Sequence, residues 1–242
     1  MQNKVGIIGD IIHTAYLCGG VVLQTFWEQE FKCPVCAKTF HSIRVFSDAI
    51  KIKDRDSDLK PTYDGVNALL FQPVTCPNCL YTTFESDFEA SLSQTQKELL
   101  TKLCEKLKTL LSVDLSKERT LKDGASLFTI AAAVYSLLGK HLRAAESYLK
   151  LAWIFRDMNN HTEETKAITG ALKHFTESYK TEELSEDQQI MVLFYLGELN
   201  ARLSNKKEAV KWFSTLIQKF GNSNSVYVKL ARKEWQEVTM RK

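Results

Sequence analysis

Proline and glycine are scarce in this sequence of 242 residues, with four and ten copies respectively. This leaves little room for a long disordered linker between folded parts. The sequence also lacks a glycine-rich phosphate loop and a Ser-x-Gly nucleophile turn, which are typical of nucleotide-binding proteins and of hydrolases. These absences favour a folded protein of two modest domains without a recognisable catalytic motif.

The net charge is also small, at +3, but it is divided unevenly along the chain. Residues 1–90 contain eight Lys and Arg against eleven Asp and Glu, whereas residues 91–242 contain 24 against 18. An acidic N-terminal part argues against nucleic acid as its partner, because phosphate binding depends largely on lysine and arginine. Nucleic acid is therefore a possible but disfavoured partner, and it would have to bind residues 202–242, which contain ten basic and three acidic residues.

Long apolar runs are missing except between residues 5 and 27, where Asp10 is the only formal charge. Asp10 near the middle, together with His13, Gln24 and four glycines, brings the insertion free energy to about zero or above, so no membrane span is expected. Asp10 also interrupts a signal peptide. We predict a short helix over residues 7–17, ended by Gly19 and Gly20, and then a strand over residues 21–27. Residues 1–27 form an N-terminal extension that packs on the protein's own core, docks a partner or anchors to a membrane.

Four of the six cysteines form two Cys-Pro-x-Cys turns, Cys33-Pro34-Val35-Cys36 and Cys76-Pro77-Asn78-Cys79. This spacing lets both sulfurs of a turn point at one centre, and four thiolates bind Zn²⁺ tetrahedrally at about 2.3 Å. The sequence therefore predicts one structural zinc ion per chain, bound by Cys33, Cys36, Cys76 and Cys79. Iron in the same four-thiolate set is the chemical alternative, and a redox-active dithiol is another. The two remaining cysteines, Cys18 and Cys104, have apolar neighbours and are predicted to be buried thiols.

Residues 28–90 are predicted to form a zinc-ribbon-like module of short strands around these cysteines. Residues 39–46 have strand character, residues 49–53 alternate as in a half-exposed strand, and His41 is assigned to a strand rather than to the metal. Strands this short bury too little surface to fold alone, so the metal is expected to supply much of the folding free energy. Metal thiolates fit a reducing compartment, which predicts a cytoplasmic protein.

Acidic residues lie near both cysteine pairs. Glu85 and Asp87, after the second pair, are predicted to face Asp56 and Asp58, with Arg55 between the two sets. The cluster is either a salt-bridged brace between the ribbon and the helices or a catalytic site. The brace is favoured, because a closed four-thiolate zinc keeps no open position for water or substrate.

Several short motifs follow one another between the first cysteine pair and residue 88. They are Cys33-Pro34-Val35-Cys36, Arg55-Asp56-Ser57-Asp58, Cys76-Pro77-Asn78-Cys79-Leu80-Tyr81 and Phe84-Glu85-Ser86-Asp87-Phe88. In this order, over residues 31–90, the motifs resemble an uncharacterised bacterial family known only as a domain of unknown function. The resemblance implies a ribbon followed by helices, and it implies no established activity. The sequence departs from that family at Ala37 and Leu80, where glycine usually follows each pair, so we expect strained or rearranged turns.

The pattern changes to a helical period from residue 91, and residues 91–242 are predicted to form an all-α domain of about seven helices. Residues 94–111, 162–179 and 222–239 are assigned to helices, and residues 113–124 to a connection. Ser93 is the predicted cap of the first of these helices, and Ser185 caps the helix that follows residues 162–179. Small residues around Ala144 and Ala209, each followed four residues later by an aromatic, are similar to tetratricopeptide repeats. Their separation of 65 residues is close to two repeats, and a helical bundle without repeats is the alternative. The predicted fold class is α+β, with a zinc-ribbon-like module followed by a tetratricopeptide-like stack.

These features predict a non-enzymatic interaction or scaffold protein whose helical stack binds another protein or a peptide. The alternative is a nucleic-acid-binding ribbon protein that uses its basic C-terminal helices. A metal-dependent hydrolase that uses Asp56, Asp58, Glu85 and Asp87 is the third hypothesis.

Overall fold

The computed structural model describes residues 17–18, 21–22, 24–111, 113, 115 and 119–240. The helix predicted over residues 7–17 lies outside the described residues, except that Leu17 belongs to a two-residue strand, β1 (Leu17–Cys18). This strand pairs with β2 (Val21–Val22) in an antiparallel arrangement. The single strand predicted over residues 21–27 is wrong, because strand structure there is divided between β2 and the start of β3 (Phe26–Lys32).

The described strands form four antiparallel hairpins. After the β1–β2 pair, β3 pairs with β4 (Thr39–Val45), β5 (Ile52–Arg55) with β6 (Pro61–Tyr63), and β7 (Pro73–Thr75) with β8 (Thr82–Phe84). The strand predicted over residues 39–46 is confirmed. The strand predicted over residues 49–53 is confirmed only at Ile52 and Lys53, because a 3₁₀ turn occupies Ser47–Ala49 and β5 begins at Ile52. All four residues of β5 are exposed, so the alternation of isoleucine and lysine does not mark a half-buried face.

Helices form the remainder of the described chain. A one-turn helix, α1 (Glu85–Phe88), follows β8, and seven longer helices follow it, as predicted. They are α2 (Gln94–Leu110), α3 (Leu121–Leu137), α4 (His141–Asp157), α5 (His161–Thr181), α6 (Glu186–Arg202), α7 (Lys206–Phe220) and α8 (Val226–Met240). Ser93 and Ser185 are confirmed as N-caps, each in a capping box with a glutamine three residues later. In the described part of the chain, no helix has the length and apolar character needed to span a membrane.

Helix α3 begins earlier than predicted, and Gly124 accounts for the difference. The connection predicted over residues 113–124 is wrong at its C-terminal end, because Thr120 caps α3 through a capping box with Asp123. Gly124 is buried in the first turn of this helix, where an added Cβ atom would overlap the side chain of Leu70. The glycine therefore allows a 3₁₀ turn, Ala68–Phe71, to approach the helix closely. Close packing against Leu70, rather than a turn of the chain, therefore explains why glycine occupies this position.

Small residues and aromatic rings meet at two contacts between neighbouring helices. An added Cβ on Gly197 of α6 would lie 2.5 Å from the Phe213 ring of α7, and one on Gly170 of α5 would lie 2.7 Å from the Tyr148 ring of α4. The 65-residue separation of Ala144 and Ala209 does not correspond to two complete repeats. Each tetratricopeptide repeat is a pair of helices, so equivalent positions two repeats apart have three helices between them. Between α4 and α7, where every residue is described, the chain forms only α5 and α6.

The ribbon and the helical stack share buried apolar surface. Leu69, Leu70 and Phe71, from the 3₁₀ turn, belong to the same core cluster as Phe128 of α3 and Ile154 of α4. The domain ranges 28–90 and 91–242 stay predictions, but these two parts of the chain are packed against each other. An α+β fold with hairpins first and stacked helices second is confirmed.

Candidate metal centre

Each cysteine pair lies at the tip of a β hairpin. The first pair connects β3 to β4, and the second connects β7 to β8. In the first turn the Ala37 N–H donates to the Cys33 carbonyl at 2.9 Å, and in the second the Leu80 N–H donates to the Cys76 carbonyl at 2.8 Å. The two turns therefore close in the same way, so each hairpin presents its pair of sulfurs in an equivalent arrangement.

Ala37 and Leu80 adopt the left-handed backbone conformation, with φ of 59° and 63°. This region costs a residue other than glycine about 1–2 kcal/mol. The expectation of strained turns at the two positions where glycine is usual is confirmed. Other interactions must offset the strain of these turns, and a metal ion bound by both hairpins would supply them.

The four sulfur atoms come together in one cluster. The Sγ atoms of Cys33, Cys36, Cys76 and Cys79 all lie within 4.8 Å of one another, and the described residues contain no other group of three or more potential ligands with this spacing. Cys33 Sγ is 3.5 Å from Cys79 Sγ, and Cys36 Sγ is 3.6 Å from Cys76 Sγ. Sulfurs about 2.3 Å from a tetrahedral ion are about 3.8 Å apart, whereas a disulfide needs about 2.05 Å. The cluster therefore fits a metal and contains no disulfide.

The proton equilibria of the cluster also favour a cation at its centre. Hydrogen bonds from Cys33 and Cys79 lower the pKa of Cys76, while the contact with Cys76 raises the pKa of Cys33. Contacts with Cys33 and Cys76 likewise raise the pKa of Cys79. One thiolate is thus favoured and further thiolates are disfavoured, because negative sulfurs repel one another at this distance. A divalent cation removes that repulsion.

Polar contacts tie the two turns to each other and to α2. Lys38 donates to the Asn78 side-chain oxygen at 2.8 Å, and Lys108 of α2 donates to the Asn78 carbonyl. These two ammonium groups would offset part of the excess negative charge of four thiolates around a divalent ion.

The apolar base of the ribbon contains four buried rings, those of Phe31, Phe40, Tyr81 and Phe88.

Two further predictions about individual residues are confirmed. Cys104 of α2 is buried in the apolar cluster beneath the sulfurs, and burial raises its pKa to about 11, so it is an unreactive thiol. His41 lies on β4 with an exposed side chain, 3.9 Å from Glu30, and is not a ligand. The side chain of Cys18 lies outside the described residues.

Asp58 is completely buried and ties the loop between β5 and β6 to the helices. Its carboxylate accepts hydrogen bonds from Trp153 Nε1 at 3.0 Å and Arg156 Nη2 at 2.8 Å, and Arg202 lies 3.3 Å away. Arg156 also binds Asp56 at 2.7 Å. Burial raises the pKa of Asp58, but the hydrogen bond from Arg156 and the charge of Arg202 outweigh burial and lower it overall. The carboxylate is therefore ionised and fully engaged.

Glu85 and Asp87 bind other partners, so the prediction that they face the earlier aspartates is wrong. Glu85 pairs with Arg44. Asp87 accepts a hydrogen bond from the Tyr135 hydroxyl at 2.8 Å and pairs with Arg143 Nε at 3.0 Å. Each carboxylate binds a cation rather than approaching another carboxylate, because like charges repel. The salt-bridged brace is thus confirmed as two separate sets of contacts, and the described carboxylates do not assemble into an acidic metal site.

The sequence did not identify the partners of Asp58, and the bridging role predicted for Arg55 is wrong. Arg55, the predicted bridge, instead donates to the Leu59 carbonyl within its own loop at 3.3 Å. The true partners are Trp153 and Arg156 of α4 and Arg202 of α6. Trp153 and Arg156 are three residues apart and so project from one side of their helix, which is the only local signal that could have identified them.

The fold and the sulfur cluster together define a class of protein: β hairpins that bring four cysteine sulfurs together at metal-binding distance, packed on a stack of helices. The chain belongs to the bacterial family described as "Uncharacterized protein conserved in bacteria (DUF2225)", whose sequence model matches residues 26–238. The match is longer than the resemblance over residues 31–90 and includes the helical stack.

A protein of Borreliella burgdorferi, described as an uncharacterized protein, is also similar to this chain. It is 30% identical over an alignment of 150 positions, and the alignment covers 55% of this chain and 53% of the relative. The matched stretch thus spans about half the length of that relative. No solved structure matches this chain.

Proposed function

We propose that this protein is a non-enzymatic scaffold in which a structural metal ion orders the ribbon and the helical stack binds a protein or peptide. The closed set of four cysteine sulfurs at two hairpin tips carries the proposal. Four thiolates leave a zinc ion no open position for water or substrate, so such an ion is structural. Leu70 and Asp58 pack the ribbon on the helical stack. A metal ion that orders the ribbon would therefore also stabilise the surface that the ribbon and the stack form together.

Zinc is the ion we propose, one per chain, bound by Cys33, Cys36, Cys76 and Cys79. When bound, it would cross-link two hairpins that bury little apolar surface of their own. Iron suits the same donors, and a reducing cytoplasm suits either metal because it keeps the thiols free. Elemental analysis after growth with both metals is expected to find one zinc per chain in the wild type and none in Cys33→Ser. One iron per chain in place of zinc would show that iron is the bound metal. A second divalent ion per chain would contradict a purely structural site.

The basic surface of α7 and α8 supports an acidic protein segment as the partner. Its exposed cations are Lys207, Lys211, Lys219, Lys229, Arg232 and Lys233. Lys211 pairs with Glu208 at 3.1 Å and Lys233 with Glu237 at 3.7 Å. Exposed pairs of this kind contribute only about 0–1 kcal/mol, so a partner's carboxylates can replace them at little cost.

Charge reversal on this surface tests the partner proposal. Lys207→Glu combined with Lys229→Glu should lose proteins that the wild type captures from its native cells. The matched control is Lys166→Glu with Lys180→Glu, two exposed lysines of α5, and it should capture the same proteins as the wild type. Equal capture by both double variants would contradict the proposal. Capture that nuclease treatment abolishes, with affinity falling steeply as salt rises, would favour nucleic acid instead.

A further inference from the structure

A cavity of about 500 Å³ lies between the ribbon and helices α4, α6 and α8. None of the four clustered cysteines lines it, so it is distinct from the metal centre. Its volume falls within the range of about 300–1,000 Å³ that is typical of small-molecule sites. A scaffold function does not account for a cavity of this size beside the ribbon.

The walls of this cavity are mainly aliphatic and aromatic. Two of its rings are held in place by hydrogen bonds to Asp58, from Trp153 Nε1 at 3.0 Å to the carboxylate and from the Tyr195 hydroxyl at 3.3 Å to the carbonyl. Ring faces fixed in this way suit the flat or apolar body of a ligand. The principal apolar lining residues are Val45, Ile52, Phe71, Trp153, Met191 and Tyr195.

Lys150 of α4 also lines the cavity, and no described carboxylate forms a direct ion pair with it. Its Nζ lies 5.3 Å from the ring centre of Phe84 and 5.8 Å from that of Trp153. Among the described residues, no carboxylate or hydrogen-bond acceptor binds this ammonium group. Glu146, the acidic residue of the lining, is engaged by Arg143 at 2.9 Å. Burial lowers the pKa of the half-buried Lys150, and the charge of Glu146 offsets this effect only in part.

Cations outnumber anions around the cavity. Arg44, Arg55 and Lys150 line it together with one described carboxylate, Glu146. Arg44 already pairs with Glu85, which leaves Lys150 as the cation most in need of a partner. A charge beside apolar walls is unfavourable unless a counter-ion or a hydrogen-bond partner joins it. We propose that this cavity binds a small organic anion with an aromatic or apolar body, whose acidic group pairs with Lys150.

An aromatic sulfonate, 1-anilinonaphthalene-8-sulfonate, is the probe that tests this site, with N-phenyl-1-naphthylamine as the same ring system without the acid. Fluorescence titrations use the full chain as purified. Lys150→Met keeps the length of the side chain and removes its charge. The matched control is Lys166→Met, which removes an exposed lysine of α5. Circular dichroism establishes that each variant is folded.

The wild type should bind the sulfonate saturably at one site, and Lys150→Met should weaken that binding about tenfold or more, since a charge-assisted hydrogen bond is lost. Lys166→Met should bind the sulfonate like the wild type, and the uncharged amine should bind all three proteins equally. Equal sulfonate affinity in the wild type and Lys150→Met would overturn the proposal, as would the lack of saturable binding to the wild type.

A measurement on the wild type alone keeps the proposal testable if Lys150→Met does not fold. Reductive methylation followed by peptide mass spectrometry reports the accessibility of each lysine. A saturating concentration of the sulfonate should protect Lys150 and leave Lys166 as reactive as before. Methylation of Lys150 at an unchanged rate would overturn the proposal.

Discussion

Replacing Arg156 with methionine should destabilise the packing of the ribbon on the helices, although the change touches neither a cysteine nor the apolar core. The guanidinium group donates to Asp58 at 2.8 and 3.2 Å, to Asp56 at 2.7 Å and to Glu164 at 2.7 Å. Asp58 is completely buried, so it cannot recover these interactions from water. Methionine preserves the apolar stem of the arginine and removes only the charged group.

The magnitude follows from the burial of Asp58. Removing one partner of a buried ion pair costs about 3–5 kcal/mol, because the other charge is left uncompensated. Trp153 Nε1 at 3.0 Å and Arg202 at 3.3 Å remain beside the carboxylate, so we expect a loss near the lower limit, about 3 kcal/mol. Proteins of this kind have a free energy of unfolding of about 5–15 kcal/mol, and the loss would be a large part of it.

The same contacts determine a pH dependence. Because the pKa of Asp58 is lowered in the folded protein, its stabilising effect is present above the unfolded carboxyl pKa of about 3.9 and is lost as the pH falls through the folded value. Arg156→Met removes most of what lowers that pKa. The difference in free energy of unfolding between wild type and variant should therefore shrink as the pH decreases below about 4.

Urea unfolding followed by circular dichroism measures the change. Lys166→Met is the control, because it removes an exposed ion pair with Glu163 and should cost at most about 1 kcal/mol. A double-mutant cycle of Arg156→Met with Asp58→Asn should show a coupling of at least about 1 kcal/mol. A loss in Arg156→Met no greater than that in the control, or additive effects in the cycle, would refute the reasoning.

Three further changes probe the ribbon and the stack. Cys76→Ser should release the metal and unfold residues 28–90 while most of the helical signal persists, and hydrogen exchange that finds β7 and β8 protected as before would contradict this. Ala37→Gly should stabilise the ribbon by about 1 kcal/mol, because glycine adopts a positive φ without strain; an unchanged melting temperature would argue against the strain. Burial first, and then the neighbouring His141, lower the pKa of His174, so its contribution to stability is full above about pH 6.5 and declines as the pH falls toward the folded value. His174→Gln should flatten this change in melting temperature, whereas His161→Gln, on an exposed side chain, should leave it intact.

The cluster of four cysteine sulfurs could be predicted from the sequence because its information is local. A Cys-Pro-x-Cys turn brings two sulfurs together within four residues, and the two turns need only a hairpin each to meet. The strained positions Ala37 and Leu80 could also be identified, since the need for a positive φ belongs to the turn itself. The capping serines Ser93 and Ser185 were identified for the same reason, because a cap acts within one helical turn.

Contacts between distant parts of the chain could not be predicted in this way. Asp58 is 98 residues from Arg156, and nothing in either neighbourhood specifies that they meet. Glycine disfavours a helix, so the sequence places Gly124 in a connection. In the structure Gly124 lies inside α3, because the Leu70 side chain occupies the space that a Cβ atom would take. Local propensity was overridden by packing in this case.

The sequence by itself therefore determined that the four cysteines come together and that hairpins precede helices. It also determined where those helices begin that start with a capping serine. All of these depend on interactions between residues close together along the chain. Only the tertiary structure decided which cations neutralise Asp58 and Asp87, and that Lys150 lies at a cavity where no described carboxylate forms a direct ion pair with it. Long side chains on different helices come together through the way the helices stack, and the period of a helix does not encode which neighbour it will meet.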